Sequence, residues 1–397
     1  AATSDGKAAQ RVQAPDVAIA VSALDAASAA AYGQASRGLH YAPPQSPAWV
    51  TSWTKSFAPD GIAVIVEQDG RPIYALALEV LRSGPFRVAR LPGGTHANGN
   101  FAPLDGNARP NMAAIVAAIR RARPDIDLLR LERLLPEDDG LRNPLLDLPH
   151  SPSPNVSLAC DLAGGFTALL DRSSGKRKRK KYRSQSRKFD AAGGFRRIEA
   201  RTPQEIERQL DAFLEMKAAR FRKAGIPNVF EGSRMRAFLL DLFTGALTAT
   251  PKPFVLHSLE VGGRLRAVTG SSRGGSRLIC EFGAITEDEL AHASPGDFLF
   301  FENIREAAEQ GLSIYDFSVG DELYKRLWCD LETIHQDVVL PLTLKGRAMA
   351  GAVRAASRGK ALVKNSPALW RLTKTLRRRA AGKAEPARAT DADDAET

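Results

Sequence analysis

The side chains best suited to chemistry cluster in a short stretch, YDFSVGDELYKRLW, at residues 315–328. Alternation along the strand expected at its start places Asp316 on the opposite face from the aromatic residues beside it. A carboxylate in a central strand is costly to bury unless a partner neutralises it. Asp316 could therefore orient or deprotonate an attacking nucleophile, or it could simply pair with Lys325 or Arg326.

Three further residues of this stretch could complete a reaction centre. Gly320 lets the chain turn after the strand, so that Tyr324 and Lys325 return near the strand end. A tyrosine at that place could protonate a leaving thiolate. A lysine could neutralise a phosphate or an oxyanion.

A predicted helix start just before this stretch offers a site for an anion. Ser294 is a good N-cap, Pro295 suits the first helical position, and Gly296 permits close approach of the backbone. Free amides and the helix dipole attract phosphate, so a coenzyme pyrophosphate or a nucleotide-linked substrate could bind there. An ordinary capped helix would explain the same residues.

Other chemistries find less support in the sequence. The three cysteines are far apart and the six histidines lack metal-ligand spacing, so no metal site is predicted. No serine lies in a nucleophile elbow. His96, in the loop GGTHANGNF, could line a cleft or be a solvated polar residue. Glu281 could act as a base toward an amine, or it could be a paired or sheet-edge residue.

Two parts of the chain repeat the same order of predicted elements. Each begins with a hairpin, which turns at Asp69-Gly70 in the first part and at Gly262-Gly263 in the second. Each hairpin is followed by a strand, a loop, a helix and another strand. This order predicts an α/β (α+β) fold with two mixed twisted sheets, each flanked by helices.

The proline-rich segment at residues 143–155 indicates an exposed connection, and it sets the predicted domain boundary. The apolar stretch at 17–32 is typical of a soluble helix or strand, and no secretory signal is visible, so we expect a cytoplasmic protein. The predicted organisation is a disordered N-terminus at 1–15, an N-terminal domain at 16–150, a C-terminal domain at 156–344 with a basic helix at 175–190, a basic helical tail at 345–380, and a disordered end at 381–397.

The net charge of +11 is concentrated in two segments. Lys176–Lys188 holds nine basic residues and no acidic one, and the chain from residue 345 onward carries 13 basic and 5 acidic side chains. A neutral body with two basic appendages argues against a general nucleic-acid-binding protein. The basic helix could contact donor phosphates, nucleic acid, anionic lipid or an acidic carrier protein. The tail could lie on an anionic membrane surface, at the inner face of the membrane, or stay solvated.

The stretch SPGDFLFFENIREAAEQGLSIYDFSVGDELYKRLW resembles the signature of GNAT-superfamily acyltransferases of the CelD-like family, cellulose biosynthesis proteins that are distantly similar to FemAB aminoacyltransferases. The resemblance extends over about residues 15–345. It implies tandem GNAT-like domains with a cleft between them and an acyl donor as cosubstrate. It also implies catalytic roles for Asp316, Tyr324 and Lys325, and donor binding by Ser294, Gly296, Asp297, Gly320 and Lys325.

The resemblance leaves the donor and the acceptor open. The usual GNAT pyrophosphate loop is missing from its expected place, since its only match begins at Arg379 in the basic tail. Acetyl-CoA is the expected donor, while an acyl carrier protein or a charged tRNA would also fit. The expected activity is N- or O-acyl transfer to a saccharide, a peptide or a small metabolite, connected with polysaccharide biosynthesis. The alternative is a non-catalytic module that binds through its basic segments.

Overall fold

A computed structural model describes residues 16–365 of the chain. The predicted disordered ends at 1–15 and 381–397, and the predicted tail beyond residue 365, lie outside the described residues. Inside them, no helix combines the length and the apolar character that crossing a bilayer requires.

The described chain contains fourteen strands and ten α-helices. The strands are β1 (Val17–Ala23), β2 (Gly61–Gln68), β3 (Arg71–Ser83), β4 (Phe86–Arg90), β5 (Leu128–Leu134), β6 (Glu137–Asp138), β7 (Leu141–Arg142), β8 (His150–Asp161), β9 (Phe195–Glu199), β10 (Phe254–Val261), β11 (Arg264–Gly274), β12 (Arg277–Ile285), β13 (Ile314–Val319) and β14 (Leu331–Pro341). The helices are α1 (Ala26–Ala35), α2 (Pro47–Phe57), α3 (Met112–Ala122), α4 (Gly165–Arg172), α5 (Gly175–Ala191), α6 (Pro203–Ala224), α7 (Ser233–Gly245), α8 (Pro295–Glu309), α9 (Leu323–Arg326) and α10 (Leu344–Asn365).

Twelve of these strands form one mixed sheet in the order β1-β2-β3-β4-β5-β14-β8-β13-β12-β11-β10-β9, and β6 pairs with β7 alone. Counted inward from either edge, the first three strand pairs are antiparallel and the fourth is parallel. The parallel pairs are β4 with β5 on one side and β12 with β13 on the other. The predicted fold class is confirmed, since a mixed sheet is flanked by helices. The two predicted sheets are joined into one, which the sequence did not indicate.

The repeat extends to details of the two long hairpins, β2-β3 and β10-β11. Both turns use two residues with positive φ, 52° and 75° at Asp69 and Gly70, and 57° and 75° at Gly262 and Gly263. Such values are expected of tight two-residue hairpin turns. In both hairpins the register shifts two residue pairs away from the turn, where a β-bulge adds one residue to the returning strand. The two halves therefore share one folding unit.

The two halves are joined by strands that cross the predicted domain boundary. β8 pairs with β13 and β14, and β14 also pairs with β5. The predicted exposed connection at 143–155 is wrong, because residues 143–146 are buried against the core and the residues from His150 onward belong to β8. Pro152 is tolerated in this strand because it lies beside a break in the β8-β14 register. The domain limits at 150 and 156 stay a prediction.

Helices cover both faces of the second half of the sheet, and one helix of the first half joins them. Phe254 and Leu256 of β10 pack with α6 and α7, whereas Val255 between them packs in a cluster with α8 on the other face. Trp49 of α2 contacts Phe238 of α7 edge to face, with ring centroids 5.0 Å apart. The two halves therefore share a hydrophobic core as well as a sheet.

Candidate active site

The main opening in the structure lies where β12 and β13 separate. These parallel strands pair only along Arg277–Ile279 and Ile314–Asp316, and Ser318 then adopts a left-handed φ of 57° that turns β13 away. In the first half, the matching gap between β4 and β5 is filled by the chain itself, since Asn100 bridges to Leu134. In the second half, the gap opens into a cavity of about 740 Å³.

Both halves of the protein line this cavity. The second half supplies the separated ends of β12 and β13, the start of α8, and parts of α6, α7 and α9. The first half supplies Trp49 of α2, His96 and Asn98 of the loop after β4, and Arg133 of β5. The cavity therefore lies where the resemblance predicts a cleft.

Glu281 lines the cavity because of an irregularity in β12. Gly270 of β11 pairs with Phe282 and the next residue pairs with Cys280, so Glu281 is an extra residue opposite β11. A bulge of this kind re-aims side chains. Cys280, Glu281 and Phe282 all line the cavity, which the strict alternation of a regular strand would not allow. A carboxylate thus lies at the point where the two strands open.

Two hydrogen-bond donors hold the Glu281 carboxylate. The Ser272 hydroxyl donates to Oε1 at 2.6 Å, and the Asn98 amide donates to Oε2 at 3.2 Å. Arg133 orients Asn98 by donating to its Oδ1 at 2.9 Å. Burial raises the pKa of Glu281 to about 7, and the two donated hydrogen bonds oppose this rise. A carboxyl group with this pKa can accept a proton near neutral pH.

The structure brings Tyr324 and Lys325 to the cavity on α9. Lys325 is 5% exposed, and its Nζ donates to the Val319 carbonyl at 3.0 Å and pairs with Glu322 at 2.9 Å. The Tyr324 ring stacks on Phe300 of α8, with centroids 5.7 Å apart. Lys325 is therefore a fixed cation at the end of β13. The catalytic roles of both residues stay predictions.

Gly320 shapes this corner of the cavity through its backbone. Its φ of 139° is a value that residues with a side chain rarely adopt. A Cβ atom at this position would lie 2.4 Å from Glu322 Oε2 and 2.6 Å from Lys325 Nζ. A side chain at this position would therefore have to displace the Glu322–Lys325 pair. Binding of the donor by Gly320 stays a prediction.

The predicted anion site at the start of α8 is part of the cavity lining, through Ser294, Gly296 and Asp297. Ser294 is the N-cap residue as predicted, but it adopts a left-handed φ of 53° and its side chain accepts no hydrogen bond from the helix. Its hydroxyl therefore leaves the first-turn amides uncapped. Asp297 forms an ion pair with Lys181 of α5 at 3.2 Å, which neutralises its charge.

Asp316 has a different partner from the one expected. Its Oδ2 accepts a hydrogen bond from Arg277 at 2.9 Å, and a hydroxyl of β8 and a backbone amide of its own strand hold Oδ1. The expected pairing with Lys325 or Arg326 is wrong, because the neighbouring parallel strand places Arg277 next to Asp316. Asp316 lines a separate small cavity rather than the main one. The structure therefore does not bring it together with Tyr324.

Three further cations line the main cavity, Lys181 of α5 and Lys217 and Arg220 of α6. The Lys217 ammonium lies over the rings of Phe213, Phe221 and Phe230, 5.6 to 5.9 Å from their centroids. Burial, and to a smaller extent the nearby Arg220, lower the pKa of Lys217 to about 8. Lys181 already pairs with Asp297, so it is Lys217 and Arg220 that make one side of the cavity suitable for an anionic group.

The predicted basic helix, α5, packs beside the cavity. Its Tyr182 ring stacks on Phe298 and Phe301 of α8, with centroids 4.6 and 4.3 Å away. Gln185 donates to the carbonyls of Ala293 and Ser294 at 2.8 and 3.0 Å, which fixes the approach to α8. The outer face of α5 remains exposed and cationic. Its exposed basic residues include Lys176, Arg177, Lys180, Arg183, Arg187 and Lys188.

Two other cavity residues could be taken for nucleophiles or bases. Cys280 is buried, and the loss of solvent raises the pKa of its thiol to about 12. A thiol that stays protonated is a weak nucleophile. Burial lowers the pKa of His96 to about 4, so this imidazole is neutral at physiological pH. Glu281 is therefore the cavity side chain best suited to take up a proton near neutral pH.

One group of side chains has the spacing of a metal site. Potential ligand atoms of Glu199, His257 and Glu306 lie within 4.8 Å of one another. Both carboxylates already have cationic partners, since Glu199 pairs with Lys252 and Glu306 with Arg197. A metal ion would have to displace both cations. The expected lack of a metal cofactor stays a prediction.

The sequence predicted that the loop GGTHANGNF could line a cleft, but it did not single out Asn98 of that loop, nor Arg133, Lys217 or Arg220. Arg133 comes from the other half of the chain, and the sequence has no signal for its contact with this site. Lys217 and Arg220 lie on the polar side of an amphipathic helix, where most cations are simply solvated. Their neighbouring phenylalanines, Phe213 and Phe221 among them, are the available hint that this side of α6 is enclosed.

Residues 176–326 match the model of a family described as an acetyltransferase (GNAT) domain. No curated protein matches the sequence significantly. Among solved structures, the chain is similar to FemX, with a TM-score of 0.56 and 10% identity over 82% of this chain and 98% of that one. It is also similar to the C-terminal domain of a putative lysylphosphatidylglycerol synthetase from Agrobacterium fabrum. That alignment has a TM-score of 0.54 and 12% identity over 84% of this chain and 96% of that one.

At these low identities the solved structures show a shared fold and nothing about substrates. The family match covers α5, both separated strands and α9, so it contains Glu281 and Lys325. The same residues enclose most of the cavity. Residues 176–326 therefore resemble a GNAT-type acetyltransferase domain, and this match supports an acyltransferase.

Proposed function

We propose that the protein transfers an acyl group from a thioester to an amine or a hydroxyl, with Glu281 as the general base. The observation that carries this proposal is a carboxyl group with a pKa of about 7 at the point where β12 and β13 open. Positioning of two reactants beside one base is sufficient for direct attack. No covalent intermediate on Cys280 is needed.

The proposed reaction consists of one addition and one elimination. The acceptor nitrogen or oxygen bonds to the thioester carbonyl carbon while Glu281 takes its proton. Lys325, held at the end of β13 by Glu322 and a carbonyl, stabilises the negative charge that develops on the carbonyl oxygen. The carbon–sulfur bond then breaks, Tyr324 donates a proton to the departing thiolate, and the proton held by Glu281 returns to Tyr324 through solvent.

Acetyl-CoA is the proposed donor, and its phosphates bind between α8 and the cavity cations. The uncapped first turn of α8 offers amides and a favourable dipole at Ser294 and Gly296. Lys217 and Arg220 add positive charge at the cavity wall. Lys181 offsets the charge of Asp297, which would otherwise repel a phosphate. Together these groups substitute for the pyrophosphate loop that the sequence lacks.

An aminoacyl or carrier-bound donor is the second candidate. FemX and the putative lysylphosphatidylglycerol synthetase domain share the fold at TM-scores of 0.56 and 0.54. The exposed cations of α5, including Lys180 and Arg183, lie beside the cavity and would suit the phosphates of a charged tRNA or the acidic face of a carrier protein. Affinity for such a donor would fall steeply with salt.

The proposed acceptor is a saccharide, a peptide or a small metabolite in the cytoplasm. The CelD-like resemblance of the segment ending at Trp328 supports a connection with polysaccharide biosynthesis. Lys345, Arg347 and Arg354 begin a basic stretch on α10, and we extend the proposal to contact between residues 345–380 and the inner face of the membrane.

The test combines donor binding with turnover in the full-length protein. We expect acetyl-CoA to raise the melting temperature, and thiol release to require both acetyl-CoA and an amine or hydroxyl acceptor. The comparison variant is Glu281→Gln, which should bind donor but release thiol at least about 100-fold more slowly. If acetyl-CoA neither binds nor turns over while a charged tRNA or an acyl carrier protein does, the second candidate is correct.

A further inference from the structure

The inner wall of the cavity is far more apolar than transfer of an acetyl group requires. Aromatic and aliphatic side chains from α2, α7, β10 and β11 form this wall, and each is at most 4% exposed. They include Trp49, Phe238, Leu242, Phe243, Phe254 and Val268. Moving a hydrocarbon chain from water into contact with such a wall is favourable, by about 0.8 kcal/mol per methylene.

The mouth of the cavity has the same character. Among the side chains whose exposure is described, at residues 16–154 and 156–355, ten large hydrophobic ones are exposed, and five of them line this cavity. Ile226, Val229, Leu323 and Leu327 are each 47 to 50% exposed there. Exposed apolar groups that gather around one opening mark a binding site. The apolar surface is therefore continuous from the rim to the inner wall.

Cationic groups flank this apolar path. Lys181, Lys217 and Arg220 line the same cavity, and the cation of Lys217 sits over three phenylalanine rings. An apolar channel with cations beside it fits an amphipathic reactant that has a hydrocarbon chain and an anionic group. A small polar metabolite would leave both features unused.

We propose that one reactant carries a hydrocarbon chain of octyl length or longer, and that this chain occupies the apolar interior of the cavity. The inference rests on the proposed acyl transfer and names the class of its substrate. The chain could belong to the acyl group of the donor or to the acceptor, because both meet beside Glu281. The hydrocarbon chain has the same chemistry in the donor and in the acceptor, and the experiment distinguishes which of the two carries it.

The experiment varies chain length in two arms with the full-length protein. The donor arm compares acetyl-, octanoyl- and hexadecanoyl-CoA with one amine acceptor, and the acceptor arm compares methylamine with octylamine and dodecylamine on acetyl-CoA. We expect kcat/KM to rise at least about 100-fold along one arm, since transfer of hydrocarbon from water supports up to about 4-fold per methylene. Rates independent of chain length in both arms would overturn the inference.

A binding measurement separates this inference from the proposed function. A nitroxide-labelled octanoyl- or octyl-bearing probe should quench the fluorescence of Trp49, and the variant Trp49→Phe should lose that component. Quenching without turnover of any thioester would retain the chain site and reject the acyl transfer. Turnover of acetyl-CoA without quenching or chain dependence would retain the transfer and reject the chain site.

A pair of variants tests the position of the chain. Leu242→Phe adds bulk to the inner wall, and the preference for the longer chain should fall at least about tenfold. Leu240→Phe is the matched control, because this partly buried residue lies on the same helix and packs on the same core without lining the cavity. An equal loss of preference in both variants, or in neither, would contradict the assignment.

Discussion

Replacement of Glu281 by Gln should lower activity and raise stability at the same time. The amide keeps the shape of the carboxyl group and can still accept the hydrogen bond that the Ser272 hydroxyl donates at 2.6 Å. It does not take a proton, so kcat/KM at pH 8 should fall about 100- to 10,000-fold, the usual contribution of a positioned base. The affinity for donor should change little, because the donor phosphates are held elsewhere.

The gain in stability follows from the raised pKa of Glu281. The pKa is about 7 rather than the ordinary 4.5, and at 1.36 kcal/mol per pH unit the ionised carboxylate costs the folded state about 3 kcal/mol. Water in the cavity screens part of this cost, so we expect about 1 to 2 kcal/mol. The folded state binds this proton more tightly than the unfolded state does. The contribution of Glu281 to stability therefore falls as pH rises from about 4.5 to 7.

The assay compares wild type, Glu281→Gln and the control Glu309→Gln, whose side chain is exposed on α8. Thiol release should rise with pH around an apparent pKa near 7 in wild type and the control, and stay low and flat in Glu281→Gln. Calorimetry should show Glu281→Gln melting about 2 to 4 °C above wild type at pH 8.5, and close to wild type at pH 4.5. Retention of near wild-type turnover, or a lower melting temperature at pH 8.5, would refute the role of Glu281.

Three further substitutions have distinct expected results. Gly320→Ala places a side chain on a backbone with a φ of 139° and against Lys325. Thermal melting should show that the free energy of unfolding falls by about 1 to 3 kcal/mol, and thiol release should become slower. Lys217→Met should raise KM about tenfold for acetyl-CoA but not for acetyl-pantetheine, which lacks the phosphates. The lower KM of wild type for acetyl-CoA should be lost above the Lys217 pKa of about 8. Asp316→Asn breaks a buried ion pair with Arg277. Denaturant unfolding should show that the free energy of unfolding falls by about 2 to 4 kcal/mol, while kcat/KM of the folded fraction stays unchanged.

The elements that the sequence predicted well are those with strong local signals. The hairpins follow from Asp69-Gly70 and Gly262-Gly263, since few residues other than glycine and aspartate accept their positive φ values. The start of α8 follows from Pro295. β14 was not predicted, because its pairing with β5 joins residues about two hundred positions apart and has no local signal.

The site was predicted less well because its geometry depends on irregularities. The alternation rule assigns Cys280 and Glu281 to opposite faces, and the bulge that brings both to the cavity has no sequence signature here. Asp316 was assigned a partner close in sequence, whereas strand pairing supplied Arg277 from the preceding strand. Tyr324 and Lys325 were placed correctly at the cavity because Gly320 turns the chain immediately after β13.

The two halves have the same topology but differ in whether the gap between their parallel strands is filled. In the first half, Asn100 bridges to Leu134 and closes the gap; in the second half the gap stays open. The loop that closes the first gap also carries Asn98, which donates to Glu281, and Arg133 of the first half orients that amide. The first half thus closes its own gap and helps to hold the Glu281 carboxylate of the second half, so neither half alone contains all the residues that line the cavity.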